Sequence, residues 1–243
     1  MRRPRTVCLL PIRNGAHQLH AYLDSATRVA DDVVALDDGS TDDSLALLRR
    51  DRRVSVVLEN PRRPGFTGWD DGMNRTRLLE AAGPLRPDWI LWLDADELIP
   101  PDDAAALREF IAHDALPGCA YGFLHYRMWG ERYDPHPMWI YRMFSFRAGQ
   151  VLRPRRLHFT PIPTEIPRSR WIRTTIRFQH LGAIDEQSRL AHVAKYDEAD
   201  PPAEYGRNFG GLAAPPGDLE RWQPRAPDAP VLLPTASVDA SGG

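Results

Sequence analysis

Cysteine is scarce: the chain has two in 243 residues, Cys8 inside an apolar run and Cys119 far from it. There is no CxxC and no histidine close to either, so a disulfide framework and a zinc site are disfavoured and two buried reduced thiols are expected. Lysine is scarcer still. Lys195 is the one lysine among 31 basic residues, which reads as the coding bias of a GC-rich bacterial genome. The net charge is only -2 at pH 7, with a pI near 6.4. A chain without a global positive field is a poor candidate for holding nucleic acid through its phosphates. Long apolar runs are missing too. The longest after the first strand, Trp89 to Leu93, falls far short of the roughly 18 residues that span a bilayer. The start, Met1-Arg2-Arg3-Pro4-Arg5, resembles the charged end of a signal peptide, but the apolar run Val7 to Leu10 is short and ends at Pro11. A cytoplasmic protein without a transmembrane segment is expected.

With 42% hydrophobic and 26% charged residues, the chain can bury a sizeable core as one α/β domain plus a tail. Its first half alternates short β-rich runs with helical patterns, the mark of βαβ units and a mostly parallel sheet. Strands are expected at Thr6 to Leu10, Asp32 to Leu36, Val54 to Leu58 and Trp89 to Leu93. Helices are expected through Leu19 to Ala26, through Leu45 to Leu48, through Asn74 to Ala82 and from Pro101 through Ile111. Ser40, three residues before Asp43, is the expected cap of the second of these helices. From Ala120 to His180 the pattern turns to aromatics and prolines, with strands expected at Ala120 to Met128, Tyr141 to Arg147 and Thr174 to Gln179. One more helix is expected over Ile184 to Tyr196. Beyond Gly206, prolines and small residues suggest a tail that lies on the surface or is partly disordered.

In an open parallel sheet, ligands bind at the carboxyl ends of the strands. Three strand ends here are polar: Pro11-Ile12-Arg13-Asn14-Gly15, Asp37-Asp38-Gly39-Ser40 and Asp94-Ala95-Asp96-Glu97. An isolated Asp-x-Asp more often just opens a loop, and Asp37-Asp38-Gly39-Ser40 also reads as a turn in which Gly39 permits positive φ. Together the motifs say more. Two carboxylates at an exposed strand edge suit Mg²⁺ or Mn²⁺, with a diphosphate completing the shell. A carboxylate just past the second strand is placed to accept hydrogen bonds from a base or ribose.

The three motifs, in this order and spacing, resemble those of family 2 glycosyltransferases. The resemblance covers residues 6 to 112 well and runs more loosely to about Pro201. It implies an α/β fold of the glycosyltransferase-A (GT-A) type: a Rossmann-like, mostly parallel sheet flanked by helices, with a mixed-sheet acceptor half. Residues 1–112 would be the nucleotide-sugar-binding half, 113–205 the acceptor half and 206–243 a Pro-rich tail. By the same resemblance Pro11, Arg13 and Asn14 would line the nucleotide pocket and Asp38, beside Gly39, would contact the base. Asp94, Ala95 and Asp96 would bind the donor, with Mn²⁺ or Mg²⁺ held by Asp94, Asp96 and the late histidine His180. Asn74 matches a polar position in the helix preceding the metal motif. Arg142-Met143-Phe144 resembles a strand segment below the acceptor site. His158 is expected to line the acceptor side or to pack its loop, and Trp129, Trp139 and Tyr141 to serve as core or as sugar-stacking rings.

Members of that family invert the anomeric centre, which needs a base on the acceptor hydroxyl and a metal on the departing diphosphate. Glu131, Asp134, Glu165 and Asp185 are the unranked candidate bases. The implied partners are a nucleotide-diphosphate sugar, with UDP favoured, and a small-molecule or glycan acceptor. Composition and size suggest secondary-metabolite or cell-envelope glycan synthesis; nothing assigns an oligomeric state. Pro167, standing where processive polysaccharide synthases carry a glutamine ahead of Arg170-Trp171, argues against a polymerising enzyme. Rival readings are a nucleotide-sugar-binding protein without turnover, a nucleotidyltransferase, disfavoured because no Gly-rich loop follows the first strand, and an Asp-x-Asp phosphatase, whose motif would belong after that strand.

Overall fold

The computed structural model describes residues 2–200 and 217–233. Four parallel or near-central strands form its frame: β1 (Thr6–Ile12), β2 (Asp32–Asp37), β3 (Val54–Glu59) and β4 (Trp89–Trp92). β1 pairs in parallel with β2 and β4, and β2 with β3. The strands β1, β2 and β4 are buried almost along their whole length and apolar through their middles, because helices cover both faces of a parallel sheet. Alternation then sorts the side chains. Cys8, Leu10, Val33, Ala35 and Leu91 join one core with Leu19, Tyr22 and Leu23 of α1 (Ala16–Ala26) and Leu107 and Phe110 of α4 (Pro101–His113). Val7, Leu9, Val34, Leu36 and Trp92 face the other core with Leu78 and Leu79 of α3 (Asp71–Ala82).

The second half extends the sheet with antiparallel pairs, as the mixed pattern of its sequence predicts. The long strands β6 (Ala120–Trp129) and β8 (Met138–Ser145) pair with each other, and β8 pairs with β4. β9 (Trp171–His180) runs parallel to β6, and its end pairs with the two-residue β5 (Glu97–Leu98). Phe123 and Phe178 stack at 4.6 Å across the β6–β9 pair, a contact worth about 0.5–1.5 kcal/mol beyond the area it buries. Helix α5 (Glu186–Ala199) follows.

One reading changes. Ser40 does not cap α2 (Ser44–Arg50); Asp43 holds that position, because the Asp37 carboxylate takes the Ser40 N–H and Ser40 Oγ accepts the Asn14 N–H instead. The described part of the tail is tied down. Glu220–Arg221 (β10) pairs with Arg132–Tyr133 (β7), and Arg225 reaches the fully buried Asp103 and the Thr175 carbonyl. Residues 206–216 and 234–243 of the expected tail lie outside the described residues. No described helix is long and apolar enough to cross a membrane.

Candidate functional site

The carboxyl ends of β1, β2 and β4 meet at one sheet edge, and each loop there is held by its own polar residues. Asn14, at a φ of 52°, donates its N–H to Ser40 Oγ at 2.9 Å and accepts the Thr41 N–H at 2.8 Å, which locks the first two loops together. Gly39 is required: its φ is 73°, and a Cβ would stand 2.4 Å from the Pro61 carbonyl oxygen. Arg13 reaches into the loop after β3, donating to the carbonyls of Arg63, at 2.8 Å, and Gly65, with its guanidinium 4.3 Å above the Phe66 ring.

Asp38 is buried, and both its oxygens are engaged. Asn60 donates to Oδ1 at 2.6 Å, and Arg63 donates to both carboxylate oxygens. Asn74 joins the same cluster by accepting from Asn60 at 2.8 Å. Its neighbour Asp37, also buried, keeps an Oδ2 with no hydrogen-bond partner among the described residues. Pro11 and Ile12 lead into this corner at the end of β1.

The Asp94-Ala95-Asp96-Glu97 turn carries the strongest charge pattern. Asp94 accepts from Arg75 and from Arg142, both at 2.7 Å, while Arg142 also donates to Glu97 at 2.6 Å. Arg142 arrives because β8 pairs with β4 through Leu91 and Met143. Burial raises the Asp94 and Glu97 carboxyls, but the guanidiniums outweigh it and hold both below the ordinary carboxylate range. Asp94 is therefore an anchored anion. Asp96 points elsewhere: its Oδ2 lies 3.2 Å from His180 Nε2, set there by the pairing of Glu97 with His180 and by the Leu181 N–H donating to the Asp96 carbonyl at 2.7 Å. Burial pushes the His180 imidazole down and Asp96 pushes it up more, leaving it raised.

A third ligand comes from α5. Possible ligand atoms of Asp96, His180 and His192 all lie within 4.8 Å of one another. An ion bonded at about 2.1 Å sets its ligand atoms roughly 3 to 4.2 Å apart, so small side-chain movements close this trio on a metal. Burial, then the charges of His180 and Lys195, lower the His192 imidazole to about 4, so it is neutral and able to ligate at physiological pH. His192 was missed in the sequence. The signal was the spacing of His192, Lys195 and Tyr196, which places three polar or aromatic groups on one helix face where a core helix would show leucines. Lys195 sits among the rings of Trp69, Tyr196 and Phe66, at 4.3, 5.3 and 5.9 Å.

Among the four acids proposed as bases, Asp185 caps α5 by accepting the Ser188 N–H at 2.7 Å, Glu165 accepts the Val151 N–H at 3.2 Å, and Asp134 accepts the His136 N–H at 3.0 Å. Glu131 stands exposed in the β6–β7 turn. Trp129 lies under Arg189, Trp139 beside Arg173, and Tyr141 against Trp171, so all three pack protein groups.

The family model described as glycosyl transferase family 2 matches residues 8–174, from the first strand into β9. The chain belongs to that family. Uncharacterised proteins of Mycobacterium bovis and Mycobacterium tuberculosis are each 34% identical to this glycosyltransferase over 101 residues, 40% of its length and 25% of theirs. The chain thus spans about a quarter of those curated relatives. Among solved structures, S. aureus TarS residues 1–349 in complex with UDP is 21% identical, with a TM-score of 0.39 over 52% of this chain and 36% of that one. A mannosyltransferase of Pyrobaculum calidifontis in complex with GDP-Man and Mn²⁺ is 22% identical, with a TM-score of 0.37 over 54% and 37%. As a member of glycosyl transferase family 2, the chain has the α/β architecture expected from its motifs.

Proposed function

We propose that this glycosyltransferase moves a sugar from a nucleotide-diphosphate donor, UDP-linked in the first instance, to a small-molecule or glycan acceptor by metal-dependent inverting displacement. The observation that carries the reading is the Asp96–His180–His192 trio at the strand edge that also holds Asp38 and Arg13. Two imidazoles and one carboxylate favour Mn²⁺ over Mg²⁺, which takes mostly oxygen ligands. When bound, such an ion neutralises charge that develops on the departing diphosphate.

The protein residues divide the remaining work. Arg75 and Arg142 fix Asp94 so that the turn presents Asp96 in one orientation. Asp37 and Asp38, with Pro11, Arg13, Asn14, Gly39 and Asn74 around them, form the corner assigned to base and ribose. The acceptor hydroxyl attacks the anomeric carbon opposite the diphosphate, its proton passes to a base, and the bond from that carbon to the diphosphate oxygen breaks. Glu131, Asp134, Glu165 and Asp185 stay the candidates for that base.

Calorimetric titration of UDP, GDP and dTDP, with Mn²⁺ and with EDTA, tests the reading. Metal-dependent binding of one nucleotide by the wild type, lost in Asp96→Ala, is the expected result. Absence of nucleotide binding under both conditions would sink it.

A further inference from the structure

Loop 151–168 encloses a cavity of about 320 Å³ that none of the donor-site motifs explains. Its lining is divided by chemistry. Arg153, Arg155 and Arg168 contribute cationic groups, and among the described residues no acidic one lines it. Neither Arg153 nor Arg168 forms an ion pair among the described residues; Arg168 lies 4.3 Å over the ring of Trp171. The apolar side is the margin of the second core: Ile162 and Ile166 are buried, and Phe159 and Trp171 pack against the same cluster.

The loop is a built structure. Trp92 Nε1 donates to the Pro161 carbonyl at 2.8 Å, Trp171 Nε1 donates to the Ile166 carbonyl at 3.0 Å, and the Gly72 N–H donates to the Arg156 carbonyl at 3.2 Å. A Cβ on Gly72 would stand 2.1 Å from the Arg155 carbonyl oxygen, so the loop sits directly on the start of α3. A chain of ring contacts links the cavity wall to the metal trio. Its wall residue His158 stacks on Tyr196 at 4.7 Å, Tyr196 lies 5.0 Å from His192, and His192 lies 6.1 Å from His180.

We propose that this cavity binds the acceptor through an oxyanion, a phosphate or carboxylate, held by Arg153, Arg155 and Arg168, with the acceptor's apolar or aromatic part against Phe159, Ile162 and Trp171. Guanidiniums suit oxyanions because their paired N–H groups match the oxygen spacing. A cationic rim over an apolar floor selects a molecule that carries both characters. That the occupant is the acceptor rests on the transferase reading above; that the cavity takes an amphiphilic oxyanion does not.

The probe is phenyl phosphate, with phenol and inorganic phosphate as the two half-ligands, titrated by calorimetry without metal and again with UDP and Mn²⁺ present. The wild type is expected to bind phenyl phosphate at least tenfold more tightly than either half-ligand. Arg155→Ala/Arg168→Ala, altering two exposed side chains, is expected to weaken it at least tenfold, and Asp96→Ala to leave it unchanged. Absence of saturable binding, equal affinity for phenol, or no effect of the double substitution would overturn the site. Mutual exclusion of phenyl phosphate and UDP would overturn the acceptor assignment by placing the probe in the donor corner. Phenyl phosphate bound by a protein that takes no nucleotide would instead count against the transferase reading alone.

Discussion

The carboxylate of Asp96 and the imidazole of His180 meet at 3.2 Å because β5 and β9 pair with Glu97 opposite His180. Sheet register thus brings together two groups more than eighty positions apart, and α5 adds His192 above them. If the trio holds the ion, His192→Ala removes one of three protein ligands while leaving the half-buried helix face otherwise intact. Its Mn²⁺ affinity, read by calorimetry or by the paramagnetic signal of free Mn²⁺, is expected to fall at least tenfold. Unchanged affinity would remove His192 from the shell.

Gly182 offers a way to disturb the trio without touching a ligand. A Cβ there would stand 2.8 Å from His180 Cε1, 2.9 Å from its Nε2 and 3.1 Å from Asp96 Oδ2. The ring and the carboxylate can each yield by a few tenths of an ångström, but metal sites tolerate errors of only about 0.2 Å in ligand distance. Gly182→Ala is therefore expected to keep its melting temperature within a few degrees and to lose several-fold in Mn²⁺ affinity. A large drop in melting temperature with normal metal binding would contradict this.

How far the sequence foretold the structure depended on whether a feature was local or made by register. The apolar runs from Val7 to Leu10 and Val33 to Leu36 announced buried parallel strands because both faces are covered, and the helix through Asn74, Leu78 and Leu79 followed from spacing. The Asp-x-Asp turn was legible for the same reason. What Asp94 does was not: its partners Arg75 and Arg142 lie on α3 and β8, and only tertiary pairing shows that they engage it. Ser40 lost its expected cap role to a contact with Asn14, 26 positions away, which no local pattern encodes.

Arg75 bridges Asp71 at 2.8 Å and Asp94 at 2.7 Å with its side chain only 7% exposed. Removing one partner of a buried ionic network leaves carboxylates without compensation, at a cost of about 3–5 kcal/mol. Arg142 still holds Asp94, which points to the lower end. Arg75→Met is expected to lose about 3 kcal/mol in urea unfolding and roughly 6–12 °C in melting temperature. Arg75→Lys should recover little of this, since one ammonium cannot reproduce the guanidinium's separate contacts to two carboxylates. A neutral effect of Arg75→Met would show that the network contributes nothing net.

Cys8 sets a dependence on alkaline pH. Its Sγ lies 3.3 Å from Tyr22 Oη in the main core, and burial pushes the thiol from 9.0 up to about 12, against the Tyr22 hydrogen bond and helped by Glu97 and Asp94. Above pH 9 the unfolded chain ionises this thiol while the folded protein keeps it protonated. Unfolding then releases a proton, and stability present below pH 9 is lost as pH rises toward 12, by up to about 1.4 kcal/mol per pH unit. At pH 10.5 the wild type is expected to have lost about 2 kcal/mol through Cys8 relative to neutral pH. Tyr22, also raised by burial, adds to the fall once pH passes 10, in wild type and Cys8→Ala alike. Urea unfolding of wild type and Cys8→Ala at pH 8, 9.5 and 10.5 isolates the effect: the variant begins less stable, because it lacks a buried side chain, but declines less steeply. Parallel declines would mean that the thiol titrates alike in both states.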